Sequence, residues 1–255
     1  MVRIIEHDGG EKVKPLDMVS ELADKKRFRV AIFGSARIKP GDKVYKEVFN
    51  LAKMVGEAGY DVVTGGGPGL MEAANAGHAK GDKLGKAESI GLVIKLPWEN
   101  KGNAYLEVAH TYKHFSTRLD NFLALSTVMV VTKGGIGSLL ELSYMWQHMQ
   151  VHMIEYKPII LIGKMWEDFI KWMKKATLPD NLVSPEDFDF IYIAKSNKEA
   201  MAMINEFSKL HQKEKVLRKI DCSGSNCVTP KLPTKNGKAV KVIPVNTDAK
   251  ISKRK

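Results

Sequence analysis

A chain of 255 residues, 44% of them hydrophobic, is long enough for one large α/β domain with a substantial core, or for one domain with an appendage. No apolar run approaches the ~20 residues that span a bilayer, and Met1 to Asp8 contain no apolar signal-type stretch, so a soluble cytoplasmic protein is expected. The net charge of +11 suggests nucleic acid until it is located: residues 213–255 carry 12 Lys or Arg against 3 Asp or Glu, whereas residues 1–212 carry 28 against 26.

Residues 1–27 read as an N-terminal extension, and Leu16 to Phe28 has the spacing of a helix covering a sheet edge. Val30 to Phe33 reads as a strand that runs into Gly34-Ser35-Ala36-Arg37. Val44, Val48, Leu51, Ala52 and Val55 have helical spacing over residues 44–58, with Gly59 placed as a C-cap. A second strand, Asp61 to Thr64, breaks into Gly65-Gly66-Gly67-Pro68-Gly69 before a helix that starts at Leu70. Proline suits such a first turn, where its missing N–H would have no partner.

Ser89 to Leu96 is the next strand, ended by Pro97, and Trp98 to Asn103 is a loop. Leu106 to Phe115 reads as a short extended segment and Ser116 to Leu125 as a helix. The apolar run Ser126 to Thr132 is a buried strand, followed by Lys133-Gly134-Gly135-Ile136-Gly137-Ser138-Leu139-Leu140-Glu141 and a helix over Leu139 to Gln150. Pro158 to Gly163 is a strand, Trp166 to Ala176 a helix, Phe188 to Ile193 a last strand and Asn197 to His211 a last helix. This alternation predicts a doubly wound, mostly parallel sheet of six or seven strands with helices on both faces, a Rossmann-like three-layer sandwich over residues 1–212. Residues 213–255 form a basic tail that reads as disordered, able to touch nucleic acid nonspecifically or to act as a solubilising appendage.

Three strand-to-glycine-to-helix junctions point to one chemistry. Each aims bare N–H groups and the positive end of a helix dipole at a point beyond the sheet, which favours an anion and most often a phosphate. None matches the dinucleotide or P-loop fingerprints. Glu141 adds a carboxylate that a pure phosphate cradle does not need. Ser138-Leu139-Leu140-Glu141 is also a capping-box pattern, so a purely helix-stabilising reading weighs about as much on this evidence. His148 and His152 have the i, i+4 spacing of a metal pair, but with Trp146, Met149 and Met153 around them they read as packed histidines. Cys222 and Cys227 read as incidental thiols in the tail, and no metal site or cofactor is expected.

These residues resemble the LOG (Lonely guy) family, which carries the label "possible lysine decarboxylase". Its P-G-G-x-G-T-x-x-E pattern is similar to Lys133–Glu141, and its M-x-x-R-K element to Phe115-Ser116-Thr117-Arg118-Leu119, with Arg118 at the family spacing from Lys133. Gly34-Ser35 and the run Thr64 to Asn75 also look like family motifs. The resemblance covers about Arg29 to Gly163, and extends to His211 at most. It implies hydrolysis of the N-glycosidic bond of nucleoside 5′-monophosphates, of the AMP or cytokinin riboside 5′-monophosphate type, to free base and ribose 5-phosphate. It also implies a homodimer or higher homo-oligomer.

By this resemblance the catalytic pair is Arg118 and Glu141. Substrate and its phosphate fall to Gly34, Ser35, Gly65, Gly66, Gly67, Gly69, Lys133, Gly134, Gly135, Gly137 and Ser138. Base contacts are expected from the loop Trp98 to Asn103 and from Phe115 or Tyr112. Three positions depart from the pattern: Lys133 for proline, Ser138 for threonine and Leu119 for lysine. The alternative is a carrier or sensor that binds a nucleotide or phosphorylated cofactor without cleaving it, as molybdenum-cofactor carriers of related fold do. Lysine decarboxylation is the weakest reading, because it needs a lysine Schiff base to a pyridoxal-type cofactor and no such motif is present.

Overall fold

The computed structural model describes residues 14–15, 27–96 and 102–221. Residues 16–26 of the expected helix between Leu16 and Phe28, most of the loop after Pro97, both cysteines and the chain beyond Asp221 lie outside the described residues, and Arg27 and Phe28 are not helical.

The strands are β1 (Lys14–Pro15), β2 (Arg29–Phe33), β3 (Asp61–Thr64), β4 (Ser89–Ile94), β5 (Val108–Tyr112), β6 (Val128–Val131), β7 (Ile159–Ile162) and β8 (Ile191–Ala194). The helices are α1 (Lys43–Glu57), α2 (Leu70–Gly81), α3 (Phe115–Leu125), α4 (Ile136–Gln150), α5 (Lys164–Thr177) and α6 (Asn197–Asp221). Every pairing is parallel, in the order β1-β5-β4-β3-β2-β6-β7-β8. Seven full strands form the sheet, and the two-residue β1 only extends its edge.

Strand period two divides the core between the faces of the sheet. On β2, Val30 and Ile32 face α1, α2 and α6, where they meet Leu51, Val55, Leu70 and Ile204. Ala31 and Phe33 face α3, α4 and α5, where they meet Phe122, Leu142, Met145 and Trp166. All five residues of β2 and all four of β6 are buried, as expected for central strands covered on both faces. The expected Rossmann-like sandwich is therefore the observed architecture, and the sheet is wholly parallel.

Among the boundaries that differ from the pattern-based reading, two lie late in the chain. Pro185–Phe188 is a 3₁₀ turn capped by Ser184 and Asp187, so β8 begins at Ile191. A proline followed by two acidic residues favours a helical first turn, which overrides the aromatic run that suggests a strand from Phe188. The last helix continues beyond His211 to Asp221, past the point where the charge changes. Among the described residues no helix is long and apolar enough to cross a membrane.

The direction of the chain changes beside β2. From there it runs through β3, β4 and β5 to one side, then returns to build β6, β7 and β8 on the other. The carboxyl ends of β2 and β6 flank this switch, where open parallel sheets place their ligand crevice.

Candidate functional site

All three glycine junctions meet at the carboxyl edge. Ser35 N–H donates to the Lys133 carbonyl (3.0 Å), and Leu70 N–H donates to the Ser35 carbonyl (2.9 Å), so the loop after β2 ties the starts of the other two segments together. Thr132 donates its hydroxyl to the Phe33 carbonyl (2.8 Å), and the Trp166 indole donates to the Thr132 carbonyl (2.7 Å). Both side chains are buried. The ends of β2 and β6 are thus pinned together directly under the crevice.

Arg118, on the first turn of α3, reaches across this edge. Its Nε donates to the Leu92 carbonyl at 2.6 Å, and its guanidinium lies 5.2 Å from the Phe122 ring centroid. A Cβ on Gly65 would stand 2.2 Å from Arg118 Nη2, so glycine there is what admits the guanidinium against the backbone after β3. Nη2 faces Glu141 Oε1 at 3.8 Å, and the two side chains are 7% and 12% exposed. That separation leaves the carboxylate without a tight forked pair. Burial pushes the Glu141 carboxyl up to about 7, although Arg118 pulls it down. A carboxylic acid poised near neutrality beside a fixed cation can gain or lose a proton under physiological conditions. Tyr112, also buried beside Arg118 and bonded to Asn121, has its hydroxyl pushed up to about 12 by burial and stays neutral.

Helix α4 starts earlier than its apolar spacing suggests, and this removes the capping-box reading of Ser138-x-x-Glu141. Gly135 is the N-cap and the first intrahelical bond runs from Leu139 N–H to its carbonyl. Ser138 is therefore the third residue of the helix and Glu141 the sixth, so the pair is not a capping box. Glu141 instead turns inward to Arg118, and Ser138 is buried with its hydroxyl over Gly134. The N–H groups of Ile136, Gly137 and Ser138 belong to the first turn, the part of a helix that favours an anion. A Cβ on Gly135 or Gly137 would meet nothing within 4 Å, so packing inside the chain does not require glycine at either position. Bare backbone there suits the close approach of a ligand. Lys133 is exposed at the rim.

Several site residues have no motif signal. Leu92 contributes only a carbonyl. Asn103 holds the glycine loop after β3, with its side-chain amide donating to Gly66 O and Gly67 O at 3.2 and 3.0 Å. Phe115, an expected base contact, is 48% exposed at the start of α3, whereas Tyr112 is buried. Leu119, where the family pattern has lysine, is 4% exposed, so a cation is missing from the interior rather than from the rim. His148 packs on Tyr144 of its own helix (4.3 Å between rings) and bonds its carbonyl. Lys157 donates its buried ammonium to the Leu123 and Ser126 carbonyls at the end of α3. Burial pulls its pKa down to about 8.

Residues 53–204, more than half of the chain, match the family model described as "Possible lysine decarboxylase", the label carried by LOG-type proteins. The chain belongs to this family. No curated protein matches it significantly. Among solved structures of the same fold is that of TM1055, at 23% identity and TM-score 0.55, covering 70% of this chain and 99% of that one. The molybdenum cofactor binding protein from the phototrophic bacterium Rippkaea orientalis aligns at 21% identity and TM-score 0.53, covering 71% and 96%. The molybdenum cofactor carrier protein from Chlamydomonas reinhardtii aligns at 18% identity and TM-score 0.51, covering 71% and 98%. The LOG motifs Arg118 and Lys133–Glu141 both fall within the matched residues.

Proposed function

We propose that this LOG-family chain hydrolyses the N-glycosidic bond of nucleoside 5′-monophosphates. The observation that carries the reading is the largely buried Arg118–Glu141 pair, 3.8 Å apart, beside a helix N-terminus started by glycines. A carrier needs the anion cradle but has no use for a carboxyl held near neutrality.

Cleavage of a ribosidic C1′–N bond passes through a state with positive charge on the ribose. In the proposed arrangement the 5′-phosphate lies on the N–H groups of Gly135, Gly137 and Ser138, with the Gly65–Gly69 loop beside it. Phosphate binding, remote from the broken bond, is used to place C1′. Ionised Glu141 stabilises the developing cation and accepts a proton from the attacking water. The water oxygen bonds to C1′ as the C1′–N bond breaks, and its electron pair leaves with the base, which is protonated from solvent. Arg118 stays charged and is no proton donor. It stabilises the leaving base and keeps Glu141 ionisable despite its burial. Because the ionised form acts, activity rises with pH through about 7 and levels above it.

The buried Leu119, in place of the family lysine, favours a second reading in which the crevice binds a nucleotide or phosphorylated cofactor without cleaving it. A Schiff-base role has less support, since the lowered lysine, Lys157, is committed to helix carbonyls away from the crevice. Chromatography of AMP incubated with the protein separates these readings. Free adenine from the native protein, absent with Glu141→Gln, supports the glycosidase. Intact bound ligand with no product supports the carrier, and cadaverine formed from lysine with added pyridoxal phosphate overturns both. Homo-oligomerisation, implied by the family, belongs to the same proposal and is read by light scattering.

A further inference from the structure

Asn103 lies outside the catalytic pair, yet its side chain is fully engaged by the glycine loop. Its amide nitrogen stands 3.2 Å from Gly66 O, 3.0 Å from Gly67 O and 2.9 Å from Asn75 Oδ1. Its backbone N–H also donates to Gly66 O, at 2.7 Å. Its Oδ1 accepts from Tyr105 N–H at 3.1 Å. The partners fix the amide orientation, since carbonyls only accept and a peptide N–H only donates. Behind it lies a buried chain of polar groups. Thr64 Oγ1 donates to Asn75 Oδ1 (2.8 Å) and accepts from Gly66 N–H (2.9 Å), and Asn75 donates to Ser89 Oγ (2.9 Å). With every group satisfied internally, Asn103 has no donor left for a ligand.

The consequence lies in the Gly66–Gly67 peptide. In a trans peptide the carbonyl and the following N–H point in opposite directions. With its carbonyl drawn toward Asn103, this unit turns the Gly67 N–H the other way. Gly66 sits at φ +70°, and glycine on both sides lets such a peptide flip at little steric cost. Sequence alone therefore leaves the orientation open, and the Asn103 contacts select one of the two.

We infer that Asn103 is a positioning residue that locks the Gly66–Gly67 peptide so that the Gly67 N–H serves the 5′-phosphate of the nucleotide. This rests on the nucleotide reading above. Asn103→Asp keeps the shape, removes both donors and sets a carboxylate against two carbonyls. Asn103→Ala removes the donors without adding charge.

The test is calorimetric titration of AMP and of adenosine into the Glu141→Gln protein with and without each Asn103 change, alongside adenine release in the Glu141 background. Expected is a loss of about tenfold in AMP affinity for Asn103→Asp, and somewhat less for Asn103→Ala, with adenosine affinity changed less than about twofold. In turnover, KM rises by a similar factor while kcat stays within about threefold. AMP affinity within about twofold of the parent for both variants, or equal weakening of AMP and adenosine, overturns the positioning role. If the parent binds AMP but the native protein releases no adenine, the glycosidase reading fails and the affinity ratio still judges Asn103. If AMP does not bind the parent at all, both fall. Should Asn103→Asp fail to fold, Asn103→Ala decides.

Discussion

The sheet carries an arginine–carboxylate contact at each end, and the two are built differently. At the amino edge Asp61 opens β3 and accepts a forked pair from Arg27, at 2.6 and 2.5 Å, with Arg29 Nε at 3.5 Å and Glu88 N–H at 2.9 Å. At the carboxyl edge Arg118 and Glu141 face each other at 3.8 Å, and Glu141 is pushed up to about 7. The Asp61 cluster satisfies its charge with donors and reads as structure. The Glu141 site leaves its carboxyl short of donors in a buried setting, which destabilises the charged form and holds the group near neutrality. Arginine paired with a carboxylate thus holds the fold at one edge and, in the proposed function, supplies the chemistry at the other.

Four experiments break or sharpen this contrast. The largest expected effect is on turnover: Glu141→Gln lowers kcat for AMP by about a thousandfold, read as adenine release. Asp61→Ala removes a buried carboxylate shared by Arg27 and Arg29, which remain partly or wholly buried, and costs about 3 kcal/mol in urea unfolding while KM for AMP is kept. A large activity loss with no stability loss for Asp61→Ala would erase the distinction. Arg118→Lys keeps the charge but loses the planar fork that meets both Leu92 and Glu141, and kcat/KM falls by about a hundredfold.

The smallest effect concerns stability. Between about 4.5 and 7 folded Glu141 still holds a proton that the unfolded chain has lost, so its contribution to stability falls as pH rises through that window. Glu141→Gln removes this penalty. The variant is expected to be about 1–3 kcal/mol more stable than native protein near pH 8 and to show no gain near pH 4, measured by denaturant unfolding. A gain at both pH values would place its origin in packing instead of ionisation.

Much of the site was legible in the chain because glycine and proline punctuate strand ends for steric reasons that act locally. The junctions at Gly34, Gly65 and Lys133–Ser138 all end at the expected edge. The helix start was misread by one turn: Ile136 is 83% exposed and Gly137 has low helix propensity, so apolar spacing places the beginning at Leu139. That shift decided that Ser138 and Glu141 do not form a cap. Asn103 stood in the expected base loop and Thr64 and Asn75 in a family motif, but the hydrogen bonds that join them were not legible, because polar side chains in a loop, a strand and a helix announce no contact until the backbone brings them together. The buried contacts of Lys157 with the Leu123 and Ser126 carbonyls carry no local signal for the same reason.

The sequence by itself determined the alternation of strands and helices, the parallel sheet, the family and the candidate pair Arg118 and Glu141. These follow from periodicity and short-range spacing, which hydrophobic burial and local sterics read directly. Only the tertiary structure decided that Glu141 faces Arg118 in a buried setting, that Leu119 is interior, and that Asn103 holds the Gly66–Gly67 peptide. Those depend on distances between residues up to 37 positions apart, such as Asn103 and Gly66. The ionisation of a carboxyl is set by everything around it, and no local pattern carries that information.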